Sequence, residues 1–374
     1  MSYSAKMDPQ LKYQIALSLI PGVGGITAKK LISYCGGVEG VFKEKKAALI
    51  KIPGVGENLA KAVLGGQVFE RAEKEMQFIE KHRIRTHFFL DKDYPARLKH
   101  CEDGPILIFV KGNVNLNAQR VVSIVGTRNI TDYGRDKCTE LVEGLLPHNA
   151  LVVSGLAYGV DACAHKKALE VGLETVAVLG HGLDRIYPPL HQQLARKIVG
   201  QGALLTDFLT ETKPDRENFP KRNRIIAGLC DAVIVIEAAD SGGALITANI
   251  ANSYNRDVFA LPGRTTDPYS KGCNVLIKIH KANLLESAAD LEYIMGWELK
   301  KDQKKAIQPA LFTELDADEE KLVDFLRKNP EAGIDFIVAN VGFTVSKTSA
   351  LLLGLEFKGI LKPLPGKVYK LLIT

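Results

Sequence analysis

The chain has 374 residues, too many for one ordinary hydrophobic core, and its 49 basic and 43 acidic side chains leave a formal charge of +6; two or three domains with locally basic surfaces are expected rather than a basic tail. The six cysteines are scattered through apolar segments without a CxxC pair, which gives no support to a zinc site or a disulfide framework and fits buried thiols in a reducing compartment. No window approaches the ~20 apolar residues of a membrane helix, and MSYSAKMDPQ lacks the basic-then-apolar pattern of a signal peptide, so a cytoplasmic protein without membrane contact is expected.

Residues 19–37 (LIPGVGGITAKKLISYCGG) and 51–66 (KIPGVGENLAKAVLGG) repeat one pattern: an apolar residue and Pro before Gly-Val-Gly, then Ala, Leu or Val at helical spacing. The repeat resembles the helix-hairpin-helix module and defines a first domain over 1–82. In such a hairpin, glycines let the backbone approach a phosphate while helix N–H groups and lysines supply charge. Gly22, Gly24, Lys29, Gly54, Gly56 and Lys61 are therefore additional candidate DNA contacts. A packing or protein-contact role is the alternative.

Residues 86–118 form a bridge of aromatic and aliphatic runs broken by Pro and Gly. Beyond it, apolar runs at 121–126, 151–155, 175–180, 203–208, 232–238 and 257–263 alternate with helical patterns. Continuous apolar runs are strands buried on both faces, so an α/β domain over 83–297 with a doubly wound, mostly parallel sheet follows. Ligands of such sheets sit beyond the carboxyl ends of the strands. Gly126, Thr127 and Arg128, then Ser154 and Gly155, then Ser241, Gly242 and Gly243 occupy those ends.

The segment 219–251 joins two anion-binding devices. Lys221, Arg222 and Arg224 beside Phe219 read as a cationic turn opening an apolar helix, and SGGALIT begins another helix whose first N–H groups favour anions. A solvated loop of mixed charge is the plain alternative for 213–224. Basic residues with an exposed aromatic, however, suit single-stranded nucleic acid, because phosphate charge gives affinity and ring stacking adds roughly 1–3 kcal/mol per base. Residues 298–312 (ELKKDQKKAIQPALF overall) suit a linker, and 313–374 read as helices and a β-ribbon in a winged-helix pattern whose helix at 344–357 is apolar with few cations.

Other constellations carry less. GTRNITDYG is not G-x-G-x-x-G and LVVSG ends without an acidic residue, which argues against NAD. Ser154, Asp161 and His165 lack a nucleophile elbow and read as a helix-start cap with a satisfied histidine. Glu237 and Asp240 read as loop-ordering acceptors, and Cys230 as core. No metal-ligand spacing, no cofactor fingerprint and no nucleophile with a positioned base is present, so no catalytic residue is assigned.

Together VVSIVGTRN, VVSGLAYGVDACAH, TVAVLGHGLDRIYP, NFPKRNRIIAGLCDAVIVIEAADSGGALITA, DVFALPG and DYPARLKHCEDGPILIFVKGN resemble the DNA-processing protein A family, also called DprA or Smf, over about 86–290. The resemblance implies an extended Rossmann-like fold that binds single-stranded DNA without sequence preference and forms a homodimer. It further implies loading of the recombinase RecA during natural transformation, protection of incoming strands and displacement of single-strand-binding protein. Carried over, the DNA pocket falls on Gly126, Thr127 and Arg128 and on Phe219, Lys221, Arg222, Asn223 and Arg224, with Gly155, Ser241, Gly242 and Gly243 beside them. Arg216 stands where some relatives have lysine, which keeps the charge and changes the geometry. The competing reading is a Rossmann-type enzyme acting on a nucleotide, similar to phosphoribohydrolases.

Overall fold

The computed structural model describes residues 9–297, 315–364 and 368–372, and the expected linker at 298–312 lies outside them. The chain divides into two units, Met1–Leu299 and Lys300–Thr374.

The first unit opens with helices α1 (Pro9–Leu19), α2 (Gly25–Cys35), α3 (Val38–Lys43), α4 (Lys46–Leu49), α5 (Glu57–Leu64) and α6 (Val68–His82). The two hairpins of the repeat are superposable in their bonding. Val23 N donates to Ile20 O and Val55 N to Ile52 O at 3.0 Å each, while Gly24 O and Gly56 O accept the first helical bonds from Ala28 N and Ala60 N. Gly22 and Gly54 hold φ of 83° and 91°, a conformation that a side chain disfavours. Helix α6 is tied to the following domain through buried Glu75, which accepts from Thr210 N at 3.1 Å and Thr210 Oγ1 at 2.5 Å.

The chain continues through β1 (Arg85–Phe88), the short α7 (Ala96–Lys99), β2 (Leu107–Gly112), β3 (Val121–Val125), α8 (Asp132–Gly144), β4 (Leu151–Ser154), α9 (Val160–Val171), β5 (Thr175–Val178) and α10 (Gln192–Gln201). Then follow β6 (Ala203–Thr206), α11 (Asn218–Leu229), β7 (Ala232–Val235), α12 (Gly243–Ser253), β8 (Asp257–Ala260), α13 (Lys271–Lys278), β9 (Asn283–Leu284) and α14 (Ala288–Met295). The strands order as β1-β2-β6-β5-β4-β3-β7-β8-β9, parallel except that β2 pairs antiparallel with both β1 and β6. The bridge therefore contributes the antiparallel edge, which its broken pattern did not reveal.

Period-two alternation explains why the central strands are apolar throughout. Val121 and Val125 of β3, with Val233 and Val235 of β7, face a core shared with α11, α12 and α13. Val122, Ile124, Ala232 and Ile234 face the opposite core, shared with α8, α9 and α14. From β3 the chain winds one way to β4 and β5 and later returns to β7 on the other side. The crevice between the β3 and β7 carboxyl ends is thus the topological switch point, where an open parallel sheet binds its ligand.

The second unit contains α15 (Ala317–Lys328), β10 (Glu331–Gly333), α16 (Ile334–Val341), α17 (Val345–Phe357), β11 (Leu361–Leu364) and β12 (Val368–Leu371), with its strands ordered β10-β12-β11. Asp316 and Glu319 form a reciprocal capping box at the start of α15. On α17, Lys347 is engaged with Asp318 at 2.6 Å, and Val345, Leu353 and Phe357 are exposed. No single helix among the described residues is long and apolar enough to cross a membrane.

Candidate nucleic-acid interface

The loop after β3 is built before any ligand reaches it. Thr127 N donates to Glu237 O at 2.7 Å, and Val160 N, at the start of α9, donates to Thr127 O at 3.1 Å. Buried Glu237, just beyond β7, accepts from Thr131 N at 2.9 Å and from Thr131 Oγ1 at 2.5 Å. Glu237 thereby holds both ends of the Gly126–Thr131 segment, Thr127 through its backbone carbonyl and Thr131 through its carboxylate, the loop-ordering role expected of it.

That loop, α11 and the 241–243 loop enclose a hollow of about 310 Å³, lined by Gly126, Thr127, Arg128, Phe219, Arg222, Asn223, Ser241, Gly242 and Gly243 among others. Arg128 is exposed and has no ion-pair partner among the described residues; its guanidinium carbon lies 5.7 Å from the Phe219 ring centroid. Tyr187 approaches the same ring, centroid to centroid, at 6.0 Å. Helix α12 starts at Gly243 without a side-chain cap, so its first N–H groups and its dipole are available to an anion. Asn223 Nδ2 donates to Gly243 O at 3.3 Å and joins the two devices.

The cationic segment is helix rather than turn, since α11 begins at Asn218 and takes Pro220 into its first turn, where the missing N–H costs nothing. Helical phase then sorts its charges. Lys221 faces outward without an ion-pair partner among the described residues, as does Arg216 before the helix. Arg222 points inward and is buried, donating to Val178 O at 2.8 Å. Burial pulls its guanidinium down to about 10, opposed by the Asp161 carboxylate. Arg224 turns away from the hollow to Asp207 at 2.6 Å and to Asp103 O.

Gly155 is buried rather than on the hollow. A Cβ there would stand 1.7 Å from Arg222 Nη1, so its part is to leave room for the guanidinium. Asp161 caps the start of α9's approach, accepting from Gly155 N at 3.1 Å and Ala157 N at 3.2 Å. Burial raises its pKa and Arg222 opposes that shift. Ser154 Oγ donates to Ile124 O at 2.6 Å, and His165 contacts Thr175 rather than Asp161. That Arg222 is buried with its charge near Asp161 was not read from the sequence. Its signal is the spacing of 222 with Ile225, Ile226 and Leu229, which puts all four on one buried face.

His165 offers a pH test. Thr175 Oγ1 donates to Val152 O at 2.9 Å and so accepts from His165 Nδ1 at 2.7 Å, which leaves the imidazole neutral with its Nε2 buried. Burial, reinforced by His191 and Arg222, pushes its pKa down to about 3. A depressed histidine stabilises the fold fully above its ordinary range and loses that contribution as pH falls toward the folded value. Between pH 7 and 5 the loss should be about 2 kcal/mol. Urea midpoints of the wild type should drop over that interval by more than those of His165→Gln; parallel drops would remove His165 from the account.

The two hairpins differ in availability. Lys29 Nζ donates to Cys101 O and Glu102 O at 3.0 Å each, and a Cβ at Gly25 would abut Gly104 O, so the first hairpin docks on the sheet domain. Gly22 and Gly24 stay exposed beside it. Gly54, Gly56 and Lys61 of the second hairpin are also exposed.

Fold and site together define a Rossmann-like protein with a preformed hollow at its switch point, lined by cations and opened by a helix N-terminus. A family model described as DNA recombination-mediator protein A matches residues 85–295, and one described as the DprA winged helix domain matches 307–367. The chain belongs to this DNA-processing protein A (DprA/Smf) family of recombination mediators. It is 34% identical to protein Smf of Synechocystis over 96% of this chain and 98% of that one. The X-ray structure of DNA processing protein A from Streptococcus pneumoniae superposes with a TM-score of 0.65 at 33% identity, covering 75% of this chain and 95% of that one. A Helicobacter pylori DNA processing protein A structure, described for its single-stranded DNA binding mode, gives 0.52 at 27% identity over 57% and 96% of the two chains.

Proposed function

We propose that this chain binds single-stranded DNA across the switch-point hollow and works as a recombination mediator by presenting the strand, without turnover of its own. The observation that carries the reading is Arg128, an exposed cation without an ion-pair partner among the described residues, beside the Phe219 ring on a loop already fixed by Glu237. A guanidinium and an α12 N-terminus take phosphate, and an aromatic ring takes a base of any identity. The Helicobacter pylori relative is described for binding single-stranded DNA, the class of ligand this chemistry suits.

The finer reading is that a cytoplasmic homodimer protects incoming strands and loads a RecA recombinase onto DNA coated with single-strand-binding protein during natural transformation. Two hollows on one strand raise avidity through effective concentration, so a modest site can hold long DNA. Exposed Gly54, Gly56 and Lys61 could add phosphate contacts from the second hairpin, and the apolar exposed face of α17 suits a protein contact better than a DNA groove.

Titration of labelled oligonucleotides at several salt concentrations tests the binding step. Three to five phosphate contacts imply a log–log slope of roughly −2 to −3.5 for single strands, with weaker binding to duplex. A flat response or equal duplex affinity would reject it. RecA ATP hydrolysis on coated strands, with and without the protein, tests the loading step, and release of free base from nucleoside monophosphates would favour the nucleotide-acting enzyme instead.

A further inference from the structure

The switch-point hollow has a neighbour on the far side of the Arg128 loop. Gly126, Thr127 and Arg128 line the first hollow, while Ile130 of the same loop lines a second, of about 350 Å³, between α8 and α9. The β4–α9 connection crosses the same boundary, since Ala157 lines the first hollow and Tyr158 and Gly159 line the second. The two chain segments touch at Gly159, which has φ of 75° and where a Cβ would stand 2.2 Å from Thr127 O. A third hollow, of about 790 Å³, lies between α9 and α10, and Lys166, Glu170 and His191 line both it and the second. Shared walls thus join the three openings into one groove that starts at the switch point.

The charge available along the added part is positive. Lys166 of α9 and Lys197 of α10 are exposed and have no ion-pair partner among the described residues. Arg135 of α8 is also exposed, and its ion pair is a long one, 3.9 Å to the solvent-exposed Asp132. The nearby acid is already engaged: Glu170 binds Lys167 at 2.9 Å, and Lys167 also reaches Glu143 at 2.5 Å. Between these cations and Arg128 stands the ring of Tyr158, exposed and set edge-on to His191 with centroids 5.1 Å apart. His191 is fixed in turn by donating its Nδ1–H to Leu156 O at 2.8 Å. An exposed ring beside cations repeats the chemistry of Arg128 and Phe219 in the first hollow.

Resting on the reading of the first hollow as a single-strand site, we propose that the strand continues from Arg128 past Tyr158 into this groove, with a base on the Tyr158 ring and phosphates on Lys166 and Lys197. An acidic peptide would also be drawn to the two lysines. A strand fits better for two reasons. The groove is continuous with the first hollow through the Thr127–Gly159 contact. Its cations are also distributed over four elements, Arg128 on the loop after β3, Arg135 on α8, Lys166 on α9 and Lys197 on α10, as a chain carrying one charge per nucleotide requires. A strand too short to leave the first hollow gains nothing from the added part, so affinity rises with length on a single protomer.

Fluorescence anisotropy of the full-length protein with oligothymidylates of about three and about twelve nucleotides separates the two parts of the path. The double variant Lys166→Ala/Lys197→Ala should bind the longer strand about tenfold more weakly, with a salt slope shallower by about 0.7 for each lysine removed, and should bind the shorter strand as the wild type does. Tyr158→Ser should also weaken the longer strand alone, and Tyr158→Phe should restore it, because the ring face and not the hydroxyl is used. All three side chains are exposed, so unfolding midpoints should stay in place. Arg128→Ala should weaken both lengths. If the wild type binds neither strand, or Arg128→Ala alters neither, the single-strand reading of the first hollow falls and the groove with it. If Arg128→Ala weakens binding while the double lysine variant keeps wild-type affinity and slope for the longer strand, or loses both lengths equally, the groove alone is overturned and an acidic peptide becomes its better occupant.

Discussion

Arg128→Ala should reduce affinity for a single-stranded oligonucleotide by at least about tenfold while leaving the unfolding midpoint where it was. The side chain is exposed and carries no ion-pair partner among the described residues, so its removal leaves no buried group unsatisfied. It is also the cation nearest the Phe219 ring, at 5.7 Å from its guanidinium carbon. A charge-assisted hydrogen bond to phosphate is worth on the order of 1.5–3 kcal/mol, and each 1.4 kcal/mol is a factor of ten in affinity. The salt slope should become shallower by about 0.7 for each phosphate released. Unchanged affinity, measured by fluorescence anisotropy on folded protein, would move the site to another part of the sheet.

Arg222→Ala should act in the opposite manner, through stability. Its guanidinium is buried against Gly155 and shares the interior with the buried Asp161 carboxylate. Truncation removes the hydrogen bond to Val178 O and the positive charge near that carboxylate, and leaving a buried acceptor without its donor costs about 1–3 kcal/mol. Gly155→Ala should go in the same direction, since the added methyl occupies the space of Nη1. Pairing Arg222→Ala with Asp161→Asn should recover part of the loss. Chemical denaturation checks all three variants; an unmoved midpoint for Arg222→Ala would show that Asp161 is solvated or neutral in the fold.

Most of the sheet was legible because a strand buried on both faces must be apolar at every position, and 121–126 or 232–238 offers no other reading. The antiparallel edge was not. Strands β1 and β2 sit in a stretch broken by Pro and Gly, where Leu107 to Val110 is buried by α-helical neighbours and β6 that come from far along the chain. At the site, the residue types were legible and their directions were not. Lys221, Arg222 and Arg224 are near neighbours in sequence, yet a helix rotates each by about 100°, sending one to solvent, one into the core and one to Asp207. Reading the segment as a turn hid that division. Lys29 shows the same limit, because its hairpin looks identical to that of Lys61 until the carbonyls of Cys101 and Glu102 are seen beneath it.

The clamp that Glu237 places on the Gly126–Thr131 loop also bears on how a strand would leave. Because the loop is rigid before binding, little conformational entropy is surrendered on capture and none has to be regained on release. What holds the strand is then a series of separate phosphate and base contacts, each weak enough to open alone. A strand held this way would be released one contact at a time, and the hollow would keep its starting shape afterwards.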